Sequence, residues 1–166
     1  MQISSNSILN SNIVDAETGK SFAVVNKMVF DANGRKLFAL EVSPNTLWPT
    51  KRYLAWLDIN YDNNLLCAGN DNILSVDDFP KIAHIIKQKT PILGQKVFNQ
   101  LDQFLGSASD VMVDSVTGQI LQIECKHLLD KRLFSIDDVI SIDSRGVKVD
   151  IGNNTIRTAE YEAIVE

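Results

Sequence analysis

The chain holds two histidines, His84 and His127, so general-base and metal chemistry have few places to sit. Cys125-Lys126-His127 brings a thiol and an imidazole closest together in sequence. On a strand, residues two apart share a face, which would put both groups on one side. A nucleophile and base also need a third group to orient the base. No Asp or Asn in the sequence is marked for that role. Asp77-Asp78 and Asp137-Asp138 are paired carboxylates. Neighbours on a strand face opposite ways, and on a helix they diverge, so these pairs suit turns and caps rather than acid–base work. Cys67 and Cys125 show neither metal-ligand spacing nor a disulfide framework. No Gly-rich run leads into Lys-Ser or Lys-Thr, so a phosphate loop is missing. The sequence therefore predicts no catalytic residue, no cofactor and no metal.

A second group of residues is better suited to binding. Between Ser43 and Asn72 lie Trp48, Tyr53, Trp56 and Tyr61, with Pro44, Pro49 and the basic pair Lys51-Arg52 among them. Trp and Tyr present large rigid surfaces with a polar handle. Trp48, Lys51, Arg52, Tyr53 and Trp56 are the predicted contacts for a protein partner. The same aromatics can instead fill the core of a small domain or line a small-ligand pocket. Tyr53 to Ile59 reads as a strand.

The elements that must position these residues are organised by an internal repeat. Val25–Val42 is similar to Ala108–Glu124. Asp31 matches Asp114 at an offset of 83, and Gly34 matches Gly118 at 84, one residue having entered the second turn. Each copy reads as a β-hairpin. Asp31-Ala32-Asn33-Gly34 and Asp114-Ser115-Val116-Thr117-Gly118 are turn signals, because Asn and Gly accept positive φ and Asp bonds its own backbone. Asp31, Gly34, Asp114 and Gly118 are thus structural turn residues. Leu74–Phe79 is similar to Phe134–Val139 at an offset of 60, which implies a long insertion in the first copy, at about residues 43–72.

Other strands are predicted at Asn12-Ile13-Val14, Lys96-Val97-Phe98, Val139–Ile142 and Gly146–Ile151. Ser75 caps a junction helix over Asp77–Lys89, whose apolar face holds Phe79, Ile82, Ile85 and Ile86. The tail, Asn153–Glu166, carries Ile156, Tyr161, Ile164 and Val165 and reads as a docked segment or a frayed end. The fold class is mainly β. Residues 1–90 form a first small domain and residues 91–166 a second with the tail. Units of this size have little core and must pack together or against a partner. Exposed edges also allow a homo-oligomer.

The chain has 166 residues, is 45% hydrophobic and 22% charged, and carries a formal net charge of -5. Residues 1–90 hold 9 basic and 9 acidic residues, and residues 91–166 hold 7 and 12. That balance argues against direct nucleic-acid binding through the second copy. No stretch of ~20 apolar residues is present to cross a membrane. Met1–Asn12 lacks the basic leader and apolar core of a signal peptide. The expected location is the cytoplasm, including the periphery of a membrane complex.

The order of these motifs resembles the PRC-barrel family. In the second copy the match runs through Leu93–Val97, Leu105–Asp114, Thr117–Ile120 and Leu133–Ile142 into the Gly146–Asp150 strand. The first copy keeps Asp31 and Gly34 but lacks a glycine matching Gly106. The resemblance implies two tandem small PRC-type β-barrels with a short helical junction. The family includes the cytoplasmic domain of the photosynthetic reaction centre H subunit and the C-terminal domain of a 16S ribosomal RNA maturation factor. By that resemblance the chain is an adaptor or assembly protein for another protein or a large complex, photosynthetic or ribosomal. A small-ligand-binding protein or an enzyme of another class is the alternative. The family offers no catalytic residues to transfer onto these positions.

Overall fold

A computed structural model describes residues 1–47, 50–88, 91–152 and 156–157. The chain is mainly β and forms two sheets, one of them a half-barrel. A short strand β1 (Gln2–Ser4) and one helical turn α1 (Ser5–Ile8) come first. Then follow β2 (Asn12–Asp15), β3 (Ser21–Asp31), β4 (Lys36–Pro44), β5 (Arg52–Ala55), β6 (Asn60–Asp62) and β7 (Leu65–Ala68). A helix α2 (Pro80–Gln88) leads to β8 (Lys96–Asn99), β9 (Phe104–Asp114), β10 (Ile120–His127) and β11 (Asp130–Ser135). The last elements are β12 (Val139–Asp143), β13 (Gly146–Val149) and β14 (Ile156–Arg157).

The duplication governs the topology. The first sheet has the order β5-β4-β3-β2-β7-β6, and the second contains β11-β10-β9-β8-β13-β12. Within each unit the strands pair antiparallel except for one parallel pair, β2 with β7 and β8 with β13. One 3-10 turn follows β5 at Trp56–Asp58, and another follows β11 at Ile136–Asp138. Leu74 bridges to Tyr53 beside β5, as β14 pairs with β11 at Leu133. The correspondence therefore runs from Asn12 to Leu74 in one unit and from Lys96 to Arg157 in the other.

This alignment corrects three sequence expectations. Residues 43–72 are not an insertion: they supply the end of β4, β5, the 3-10 turn, β6 and β7, all with counterparts in the second unit. The partner of Ile136-Asp137-Asp138-Val139 is Trp56-Leu57-Asp58-Ile59, not Val76-Asp77-Asp78-Phe79. Both hexapeptides contain a Ser that accepts a backbone N–H two or three residues on, and this turn chemistry produced the false match. The hairpin turns are also equal in length, six residues from Asp31 to Lys36 and from Asp114 to Gln119. Gly118 (φ 72°) corresponds to Arg35 (φ 48°), and Gly34 sits one residue earlier.

The units share one core. Ile13, Val25, Leu40, Leu54 and Leu66 from the first sheet join Val97, Val111, Ile123, Phe134 and Val147 from the second in a single buried cluster. Each such side chain contributes roughly 1.5–3 kcal/mol by leaving water. β1 belongs to the second sheet, where Ile3 pairs with Val113. Ser5, after β1, donates its hydroxyl to the buried carboxylate of Asp110, which also accepts from the Ser4 hydroxyl and the N–H groups of Asn6 and Val111.

Helix α2 starts at Pro80, where a missing N–H costs nothing. It is shorter than the predicted Asp77–Lys89, and Lys89 lies outside the described residues. Ser75 accepts from the Asp78 N–H and so closes the turn before the helix. Ile82 and Ile85 are buried against Val29, Ala39 and Tyr53 on the outer face of the first sheet. Lys81 Nζ stands 4.5 Å above the Phe38 ring.

Candidate interaction surface

The joint between the units is built from the two long hairpins, meeting turn to turn. The Leu37 N–H donates to the Gly118 carbonyl at 2.8 Å, and the Ile120 N–H donates to the Arg35 carbonyl at 2.9 Å. Leu37 and Ile120 are equivalent, as are Arg35 and Gly118. The contact is thus isologous, a local pseudo-twofold within one chain. Each left-handed turn residue also reaches the other unit's 3-10 turn. The Arg35 guanidinium donates to the carbonyls of Ile136 (3.0 Å) and Val139 (2.8 Å). On the other side Gly118 lies against Trp56, which is 1% exposed.

Two of the predicted partner contacts are therefore core residues. Trp56 is buried in the joint, and its Nε1–H has no acceptor among the described residues. Tyr53 is buried under α2. Its hydroxyl donates to Glu41 Oε2 at 3.4 Å. Burial first, and then the Glu41 charge, hold the Tyr53 phenol above its usual range. Burying either ring against a facing apolar surface outweighs what it would gain exposed in the free protein. Tyr53 to Ile59 is not one strand either: β5 ends at Ala55 and the 3-10 turn follows.

Lys51 remains at the surface, with Nζ 3.8 Å from Glu41 Oε1. The second unit repeats this pair, with Lys131 Nζ 3.4 Å from Glu124 Oε1. Arg52 is half-buried on β5, opposite Val42. Trp48 lies outside the described residues. Beside it, Leu47 is 94% exposed. Leu47, Lys51 and Arg52 belong to the β4–β5 connection, Asn45–Lys51, and its exit. In the second unit Leu128 and Leu129 alone join β10 to β11.

The turn residues are placed by direct bonds. Asp31 Oδ1 accepts from the Gly34 N–H at 3.0 Å. Asp114 Oδ1 accepts from the N–H groups of Val116 and Thr117 and from the Thr117 hydroxyl. Those bonds pull the Asp114 pKa down to about 2. Sequence reading missed a third such turn. Asp15 Oδ1 accepts from the Thr18 N–H and hydroxyl, both at 2.8 Å, and Gly19 is left-handed like Gly118. The signal was present as Asp-x-x-Thr-Gly, which occurs at Asp15 and again at Asp114.

The groups with nucleophilic or ligating chemistry are scattered. Cys125 faces the core, and burial pushes its thiol up to about 11. His127 is exposed, with its ring 5.6 Å from that of Phe104. A thiol kept protonated at neutral pH is a poor nucleophile, so this pair has no activated member. His84 is on α2, in the other unit, 3.1 Å from the Gln88 amide. Among the described residues no three His, Cys, Asp or Glu converge as a metal site. Among them also no helix is long and apolar enough to cross a membrane. One surface hollow of about 210 Å³ lies between Phe98, Val147 and the ion pairs Asp102–Lys148 (2.8 Å) and Asp143–Arg145 (3.2 Å). Its charges are already matched within the chain. No family model matches this chain, and no curated protein matches it.

Proposed function

We propose that the chain is a non-catalytic adaptor or assembly protein, built on two tandem PRC-type barrels, that binds another protein within a larger complex. The observation that carries this reading is the difference between two otherwise equivalent units. Their strand orders match, and one buried cluster drawn from both fills the interior. They diverge at the β4–β5 connection, which is long and presents Leu47 and Lys51, where the second unit has a two-residue turn. An added surface loop on a conserved scaffold is where a binding role is most readily placed. The proposed contact surface is Leu47 with the predicted contacts Trp48, Lys51 and Arg52, without the buried Tyr53 and Trp56.

The test is affinity capture with the full chain from soluble and detergent-solubilised membrane fractions of the source cells, followed by reconstitution with the purified partner. The expected result is a stoichiometric protein, membrane-bound or ribosomal, whose binding Leu47→Asp weakens by about tenfold or more. Turnover of a substrate by the chain alone, or capture unaffected by Leu47→Asp and Trp48→Ala together, overturns the reading.

A further inference from the structure

The far end of the second sheet breaks a local rule. His127 pairs with Asp130, so Leu128 and Leu129 form a two-residue hairpin loop. Such loops need positive φ at the first central residue, which glycine supplies cheaply. Here Leu128 adopts φ 54° instead. The two leucines are 81% and 98% exposed. The chain thus accepts backbone strain and exposed apolar surface at one tip, and both are signs of an external role.

The tip has neighbours. β9 begins, and β8 and β13 end, beside it. Exposed Leu101, Phe104 and Ile151 therefore lie at the same end, with Phe104 against the His127 ring and the Ile151 N–H on Gln100. From Lys126 to Arg132 the hairpin carries Lys126, Lys131 and Arg132 against Asp130 alone, in a chain of formal net charge -5. Asp130 sits 3.4 Å from Arg132, and Glu124 and Asp102 hold Lys131 and Lys148. Lys126 has no ion-pair partner among the described residues.

We propose that the Leu128–Leu129 hairpin tip inserts into the interface of an anionic lipid bilayer, with Lys126 on the headgroups. The shape argues for lipid over protein. A stable protein interface covers about 800 Å² on each partner, whereas the loop itself offers two exposed side chains. A bilayer interface accepts such a tip, takes apolar side chains to shallow depth and attracts a basic flank. This inference concerns the second unit and is independent of the partner read for the β4–β5 loop.

The full chain is mixed with phosphatidylcholine vesicles, with or without phosphatidylglycerol, and co-sedimented. Binding is expected only with phosphatidylglycerol, weakening as salt is raised. The decisive variant is Leu128→Gly/Leu129→Asn, which puts glycine at the one central position with positive φ. It is expected to melt higher than the parent and to bind vesicles about a hundredfold less. Lys126→Ala is expected to weaken binding severalfold. No sedimentation of the parent with anionic vesicles overturns the proposal, as does equal binding by the double variant. A lipid-free dimer of the parent that the double variant abolishes also overturns it, by making a second copy the occupant.

Discussion

A Cβ placed on Gly118 would lie 2.7 Å from Trp56 Cδ1 and 2.5 Å from the Leu37 carbonyl oxygen. Glycine at that position is required twice over, by its φ of 72° and by the indole pressed against it. Gly118→Ala is expected to destabilise the protein by about 3 kcal/mol, combining left-handed strain with overpacking. Trp56→Ala opens a cavity in the same joint and is expected to cost about 3–5 kcal/mol. Trimming the indole in a Gly118→Ala/Trp56→Leu variant will not restore stability, because the clash with the Leu37 carbonyl is with backbone. Chemical denaturation of the three variants checks the order.

Arg35 fills the equivalent place on the other side of the pseudo-twofold, and its side chain does the bridging that Trp56 does opposite it. Arg35→Ala keeps the left-handed turn strain and loses both charged hydrogen bonds to the Ile136–Val139 segment. A loss of about 2–3 kcal/mol is expected. Arg35→Gly relieves the turn and should lose less. If Arg35→Ala melts like the parent, the guanidinium does not hold the units together.

Cys125 gives the joint sheet a dependence on alkali. Burial pushes its thiol up to about 11 from an ordinary 9.0, so the unfolded chain releases this proton first. The contribution to stability is complete below pH 9 and is lost as pH rises from about 9 towards about 11. Cys125→Ala should remove that slope, at the cost of a smaller core side chain. Native protein should also resist alkylation at Cys125 at neutral pH and react there only on unfolding, as mass spectrometry of the labelled peptide will show.

Asp114 acts at the other end of the scale. Its pKa falls from 3.8 to about 2 through the Thr117 bonds, so its contribution is full above 3.8 and is lost as pH drops towards about 2. Asp114→Asn should be less stable than the parent at pH 7, and the gap should close across that acid window. The ammonium group of Met1, 3.5 Å from Asp114 Oδ2, adds to the same turn. Thermal melts across the acid range test this.

Much of the fold was legible because it was written twice. Val25–Val42 and Ala108–Glu124 share turn chemistry and strand alternation, and these became the central hairpins β3–β4 and β9–β10. The helix was legible from the spacing of Ile82 and Ile85. The rest was hidden where one physical device appeared out of register. Ser75-Val76-Asp77-Asp78 and Ser135-Ile136-Asp137-Asp138 share a serine turn, a local signal that occurs at unrelated positions in the two units. The true counterpart, Trp56-Leu57-Asp58-Ile59, keeps only Asp58 as an identity. Arg35 was invisible as a left-handed residue, since φ 48° is not a conformation an arginine announces. Tyr53 and Trp56 stand out in the sequence, but whether their rings face in or out does not, since helix α2 and the joint that bury them are formed by distant residues.

The strand β1 has a consequence for how the molecule is made. Synthesis delivers Gln2–Ser4 before either sheet, yet their ladder partners are Asp114–Met112. All six strands of the first sheet leave the ribosome before β9 does. Ile3 therefore waits for its ladder partner Val113 until the second sheet is made. β1 acts as a clasp across the two units: the first unit alone would leave it with no ladder to join.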